Sequence, residues 1–144
     1  RAIAAQAAEA SGLLERLVSD TVAYAKQREQ FGQPIATFQA LQHRMVDMHI
    51  QLELTRAAAL LAAAKLDALP HERARAASSA KIAVAQACRF IGQNAVQLHG
   101  GMGMTDELPI GHYFKRATQI EGEFGTEGWH LSRLARLEAE GQIG

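Results

Sequence analysis

The sequence predicts an all-α protein, an up-down bundle of four long helices followed by short C-terminal helices. Three observations carry that expectation. Of the 144 residues 48% are hydrophobic, with alanine spread from end to end. Only three residues are proline, and β-branched runs are absent. Apolar residues recur at alternating steps of three and four, which is the spacing of one helix face.

Each element follows from that spacing. Ile3, Ala7, Ala10, Leu14, Leu17, Thr21 and Tyr24 mark the buried face of a first helix. Phe31-Gly32 and Pro34 then stop it, because glycine ends helices and proline cannot continue them. A second stripe runs through Phe38, Leu41, Met45, Met48, Leu52, Thr55, Ala59 and Ala62. Thr37 is one candidate cap for this helix; the alternative places Pro34 in its first turn. No breaker occurs before Pro70, so the expected helix is about 30 residues, or roughly 45 Å long. A third helix follows the Ala-Leu-Pro-His-Glu turn, with Val84, Cys88, Ile91, Ala95 and Leu98 on one face. Pro109 opens a shorter helix carrying Tyr113 and Phe114, and a last segment holds Trp129, Leu131, Leu134 and Leu137. Short turns between long helices imply antiparallel neighbours. No repeat, linker or low-complexity tract interrupts the pattern, so residues 1–144 read as one domain.

Composition narrows the partners. Fifteen basic and fifteen acidic residues give a formal net charge of zero. There is accordingly no electrostatic reason to expect nucleic acid or an anionic membrane. One cysteine, Cys88, rules out an internal disulfide and fits a reducing, cytoplasmic location. No apolar run approaches the roughly 18 residues of a membrane span. The chain opens at Arg1, without methionine and already inside a helical pattern, as expected of part of a longer protein.

Two stretches stand out chemically. "QLHGGMGMT", Gln97–Thr105, sets Gly100, Gly101 and Gly103 directly after the third helix. One glycine serves as a left-handed cap, whereas three exceed what a cap needs. Bare backbone also lets a ligand approach closely and meet N–H groups. The run follows a helix instead of a strand and lacks Lys-Ser/Thr, so it is neither a Rossmann fingerprint nor a P-loop. In "YAKQREQFGQPIATFQ", Tyr24–Gln39, Arg28 lies near the first helix's end, where the dipole favours a cation. Read alone, Arg28 is a solvated cation and Phe31 a core plug. Arginine, an aromatic ring and glutamine around a glycine turn also suit a phosphate and a flat heterocycle.

With "AKIAVAQACRFIGQNAVQ" and "QLHGGMGMTDELPIGHYFKR", these stretches resemble the C-terminal helical domain of the acyl-CoA dehydrogenase family. The resemblance covers nearly the whole chain. It implies a flavin-dependent acyl-CoA dehydrogenase that forms a 2,3-enoyl-CoA and passes electrons to an electron-transfer flavoprotein. It further implies an N-terminal helical domain and a middle β-domain, neither within these 144 residues, and a dimer or tetramer with the C-terminal bundles at its core. By the same resemblance Arg28, Phe31 and Gln39 reach the FAD of a neighbouring chain. Gln97, Leu98, His99, Gly100 and Gly101 run along the ADP part of that cofactor, while Gly103 shapes the turn. The "TDELP" segment favours the dehydrogenase branch over oxygen-using relatives.

The expected catalytic base is harder to place. Many members carry it as the glutamate of an E-G-T segment, removing the proton α to the thioester. Setting "FGT" of this chain on that segment puts Gly125 in the glutamate's place. Other members carry the base early in the first helix, at about Ala2 here. Glu121 and Glu123 read as solvent-exposed residues of a polar turn, and Glu9 as a surface residue. No catalytic residue is therefore assigned. Ser78, Ser79 and Cys88 show no evident base beside them, and no His/Asp/Glu set has the spacing of a bundle metal site. The alternative reading is a non-catalytic partner that completes the FAD site of a base-carrying chain, as in actinobacterial two-chain enzymes for steroid side chains. Alone, these 144 residues are expected to bind FAD weakly and turn over nothing.

Overall fold

A computed structural model describes residues 1–100 and 109–143. Its order is α1 (Ala2–Gln27), β1 (Glu29–Gln30), β2 (Gln33–Pro34), a single 3-10 turn (Ile35–Thr37), α2 (Gln39–Ala64), α3 (Pro70–Leu98), α4 (Pro109–Gly122) and α5 (Glu127–Ile143). The all-α bundle is as expected. Three helices have 26, 26 and 29 residues, whereas α4 has 14 and α5 has 17. α3 is central and packs against α1, α2, α4 and α5.

The predicted stripes are the core. Ala7, Ala10, Leu14, Leu17 and Thr21 are buried on α1; Met48, Leu52, Thr55, Ala59 and Ala62 on α2; Val84, Cys88, Ile91, Ala95 and Leu98 on α3. Burying one large aliphatic side chain stabilises by about 1.5–3 kcal/mol, so the long stripes hold the bundle together. The hydroxyls within them are satisfied locally. Thr21 donates to Leu17 O at 2.7 Å and Thr55 to Gln51 O at 2.9 Å.

Helix ends differ from expectation in instructive ways. α2 stops at Ala64 instead of running to Pro70. Leu69 must be extended ahead of a proline, with ψ 148°, so the chain leaves the helix early and Pro70 opens α3. Neither expected start of α2 is used. Its N-cap is Phe38, and the Thr37 hydroxyl turns back to Pro34 O at 2.7 Å. The segment after α1 is more than a stop: β1 and β2 pair antiparallel, Glu29 opposite Pro34 and Gln30 opposite Gln33. Trp129 and Leu131 of α5 are 51% and 49% exposed, so they do not belong to the core. Among the described residues no helix is long and apolar enough to cross a membrane.

Candidate functional site

The hairpin after α1 is built around two left-handed residues, Phe31 at φ 55° and Gly32 at φ 78°. Positive φ at both central positions gives the turn whose twist matches its strands. Glycine adopts it freely, whereas an L residue costs roughly 1–2 kcal/mol. Phe31 is also 87% exposed. The core-plug reading is thereby corrected: the ring projects away from the core of this chain.

Beside the hairpin, the end of α3 is organised by His99. Its backbone N–H donates to Ala95 O at 3.1 Å, and Nδ1 lies 2.8 Å from the same carbonyl. A carbonyl only accepts, so Nδ1 carries a proton. The imidazole stacks on Tyr24 of α1, centroids 4.3 Å apart and planes 25° apart. Gly100 follows at φ 61°, the left-handed cap expected of the first glycine. A Cβ there would meet nothing within 4 Å, so open space lies above its backbone.

These parts face one another. An open groove of ≈ 660 Å³ is lined by Tyr24, Gln27, Arg28, Gln30, Ile35 and Gln97 through Gly100. The fold thus brings Arg28 to Gln97, Leu98, His99 and Gly100, although α2 and most of α3 separate them in sequence. Leu98 and His99 form the buried floor, while Arg28, Gln97 and Gly100 are exposed. Arg28 has no ion-pair partner among the described residues. Gln97 is braced from α2, its Oε1 accepting from Arg44 Nη1 at 3.3 Å. Phe31 and Gln39 are exposed outside the groove lining. Gly101, Gly103 and residues 105–108 of the "TDELP" segment lie outside the described residues. A free guanidinium, a flat aromatic floor and uncovered backbone fit an anionic ligand with a planar part.

The other end of α4 is answered from within the chain. Arg116 donates to both oxygens of Glu9, at 2.7 and 2.9 Å, and to Glu123 Oε1 at 2.9 Å. Gln6 Nε2 donates to Glu123 Oε2 at 2.7 Å. Arg89 pairs with Glu121 and Glu127. Glu9, Glu121 and Glu123 are therefore held by arginines: Glu9 is a surface residue as expected, whereas Glu121 and Glu123 are half-buried instead of fully solvated. The hydrogen bond from Arg116, ahead of its charge, keeps the Glu9 carboxyl below the usual range despite slight desolvation. A carboxylate stabilised in this way is a poor proton acceptor.

Gly125, at φ 100°, has no room for a side chain: a Cβ would lie 2.9 Å from His130 Nε2 and 3.2 Å from Trp129 Cε3. Gly125, which the sequence reading sets in the glutamate's place, therefore offers no base, and neither does Phe124 before it. Phe124 sits at φ 59° and is 55% exposed.

Two buried residues were not singled out by the sequence reading. Lys81 is fully buried and donates from Nζ to Ile120 O at 2.6 Å and Glu121 O at 3.1 Å, closing the C-terminal end of α4. His130, equally buried, places Nε2 2.8 Å from Phe124 O and Nδ1 3.1 Å from Ser78 Oγ. Ser78 therefore does have an imidazole beside it, correcting the expectation. Both groups are sealed from solvent and the imidazole is committed on both sides, so the pair is no nucleophile. The spacing held the signals: Lys81 lies three residues before Val84, and His130 four before Leu134.

Comparison with known proteins agrees with this fold. The model of the acyl-CoA dehydrogenase C-terminal domain matches residues 4–138. Acyl-CoA dehydrogenase IpdE2 of Mycolicibacterium smegmatis is 39% identical over 134 residues, covering 93% of this chain and 40% of that protein. This chain thus spans about two fifths of that relative's length. The ChsE4-ChsE5 complex from Mycobacterium tuberculosis superposes with a TM-score of 0.90 at 32% identity, over 96% of this chain and 37% of that one. The FAD complex of PigA superposes with a TM-score of 0.83 at 29% identity, over 96% and 35%. Matched by that family model over residues 4–138, the chain belongs to the acyl-CoA dehydrogenase family, as its C-terminal domain.

Proposed function

We propose that this chain is the FAD-binding and oligomerisation domain of a flavin-dependent acyl-CoA dehydrogenase, which oxidises an acyl-CoA to the 2,3-enoyl-CoA. One observation carries the reading: Arg28, with no acidic partner among the described residues, faces Gln97–Gly100 across a single groove. Arg28 would supply positive charge and paired donors to the diphosphate. The exposed backbone of Gly100 would lie along the nucleotide, and Gly101 would continue it. Leu98 and the His99–Tyr24 stack would keep water from its flat part. Phe31 and Gln39 point outside the groove, as residues serving a cofactor shared with a neighbouring chain would. FAD, when bound, supplies the acceptor for the hydride leaving the β carbon. The electron-transfer flavoprotein is the proposed onward acceptor. The N-terminal helical and middle β-domains would lie outside these 144 residues.

A second reading is favoured by the α4–α5 turn. Phe124 and Gly125 offer no carboxylate, and the three nearby glutamates are tied to arginines. This supports a partner role, in which the chain completes the flavin site of a base-carrying chain in a hetero-oligomer. The likeness to the solved Tcur3481-Tcur3483 steroid ACAD, at 35% identity and a TM-score of 0.94, supports steroid or fatty-acid side-chain β-oxidation as the setting. The test is the flavin absorbance of the full-length protein, purified with and without a co-expressed partner, before and after anaerobic acyl-CoA. Flavin and bleaching without a partner support the dehydrogenase reading; their appearance only with a partner supports the second. A colourless protein in both preparations contradicts both.

A further inference from the structure

Among the described residues α2 is the one long helix with an apolar face on each side. Its inner stripe, Met48, Leu52, Thr55, Ala59 and Ala62, is buried in the bundle. On the opposite side Val46, Ile50, Leu54, Ala57, Leu61 and Ala64 are all exposed. Their steps of four and three are again those of a helix face packed on a neighbour, yet no described element covers them. α1 and α3 differ, since no large apolar side chain is exposed on either. Of the ten such side chains exposed among the described residues, five lie between Val46 and Leu61. Surface hydrophobicity gathered in this way marks an interface, whereas scattered single residues do not.

The two ends of this face are complementary in shape. At the N-terminal end an open groove of ≈ 370 Å³ between α1 and α2 is lined by Val18, Val22, Gln42, Met45, Val46 and His49. At the C-terminal end Leu60 stands out, 72% exposed. Leu60 follows Val46 by about four turns, so the two look out in nearly the same direction, roughly 21 Å apart. A groove at one end and a knob at the other satisfy each other twice when the helix meets its own copy antiparallel.

We propose that the outer face of α2 seats a second copy of this chain, the two α2 helices running antiparallel across a two-fold axis beside Glu53 and Leu54. In that pairing Leu60 of each copy fills the other's groove, Leu54 approaches its own counterpart, and Ile50 lies opposite the small Ala57. Charge permits the approach. Glu53, next to the axis, is neutralised within its own chain by Arg56, which also pairs with Glu15. The whole chain carries no formal net charge, so copies do not repel one another. The inference deepens the oligomerisation half of the function proposed above and makes no use of the flavin half.

The test purifies the full-length protein without other chains and follows its mass by analytical ultracentrifugation across concentrations. Leu60→Glu keeps a good helix former at an exposed position, so helicity and melting of the monomer should hold. It sets a carboxylate in both grooves of a pair, and association should weaken at least about a hundredfold. Independently, a short bis-maleimide should join Leu54→Cys to a second copy, giving a product of twice the chain mass. Gln93→Cys, exposed on α3, is the control for that reaction; Cys88 is buried. Unchanged association of Leu60→Glu overturns the pairing, as does cross-linking of Leu54→Cys no greater than the control; an assembling wild type then leaves the oligomerisation reading standing. Cross-linking of Leu54→Cys only to a chain of different sequence, in a co-expressed preparation, overturns the second copy as occupant. A wild type that is monomeric at every concentration contradicts both the pairing and the oligomerisation reading.

Discussion

The two ends of the molecule treat charge and strain in opposite ways. At the hairpin, Phe31 is strained and 87% exposed, and Arg28 meets no acid among the described residues. At the α4–α5 turn, Phe124 is equally strained, yet its carbonyl is held by His130 and the arginines nearby are paired. The turn is satisfied within this chain, whereas the hairpin's exposed groups meet no partner among the described residues. Exposed groups without internal partners point to a ligand. Buried groups with internal partners point to the scaffold that presents one.

Breaking the finished end should have the largest effect. Gly125→Ala drives a methyl group into His130 and strains a left-handed backbone, so chemical denaturation should show a loss of about 2–4 kcal/mol. A loss below about 0.5 kcal/mol would mean that the turn is not fixed by its imidazole. At the waiting end the sign should reverse. Phe31→Gly relieves a left-handed phenylalanine that packs on nothing internal, so stability should rise by roughly 1 kcal/mol while assembly or flavin binding weakens. Destabilisation on the same denaturation curve would place the ring in a core contact instead.

The smallest expected effect is a pH slope. Because His130 is lowered from its ordinary 6.5, the unfolded chain takes up the proton first as pH falls. Stability should be level above pH 6.5 and decline below it. The same decline in His130→Gln, above the carboxylate range near 4.5, would trace the slope to another group.

Much of this was legible in the sequence. The stripes on the three long helices named their buried faces, because a 3.6-residue period leaves one face apolar. The link from Arg28 to Gln97–Gly100 was legible only through family resemblance, since no local pattern brings the ends of two helices together. The hairpin was read as a stop: Phe-Gly signals a turn, but its two short strands are too brief to show alternation. Lys81 and His130 occupied core-facing positions of an apolar stripe, where a polar residue reads as an interruption. Their roles depend on carbonyls 39 to 40 and 6 residues away, freed by helix ends that sequence alone places poorly.

The central claim is that the groove beside the hairpin holds FAD through this chain's own Arg28. The direct measurement pairs the flavin dissociation constant with the melting temperature of full-length Arg28→Ala in its native assembly. Loss of a charged hydrogen-bond donor predicts at least about tenfold weaker flavin binding, with the melting temperature of the flavin-free protein unchanged. Wild-type flavin affinity in that variant would contradict the claim.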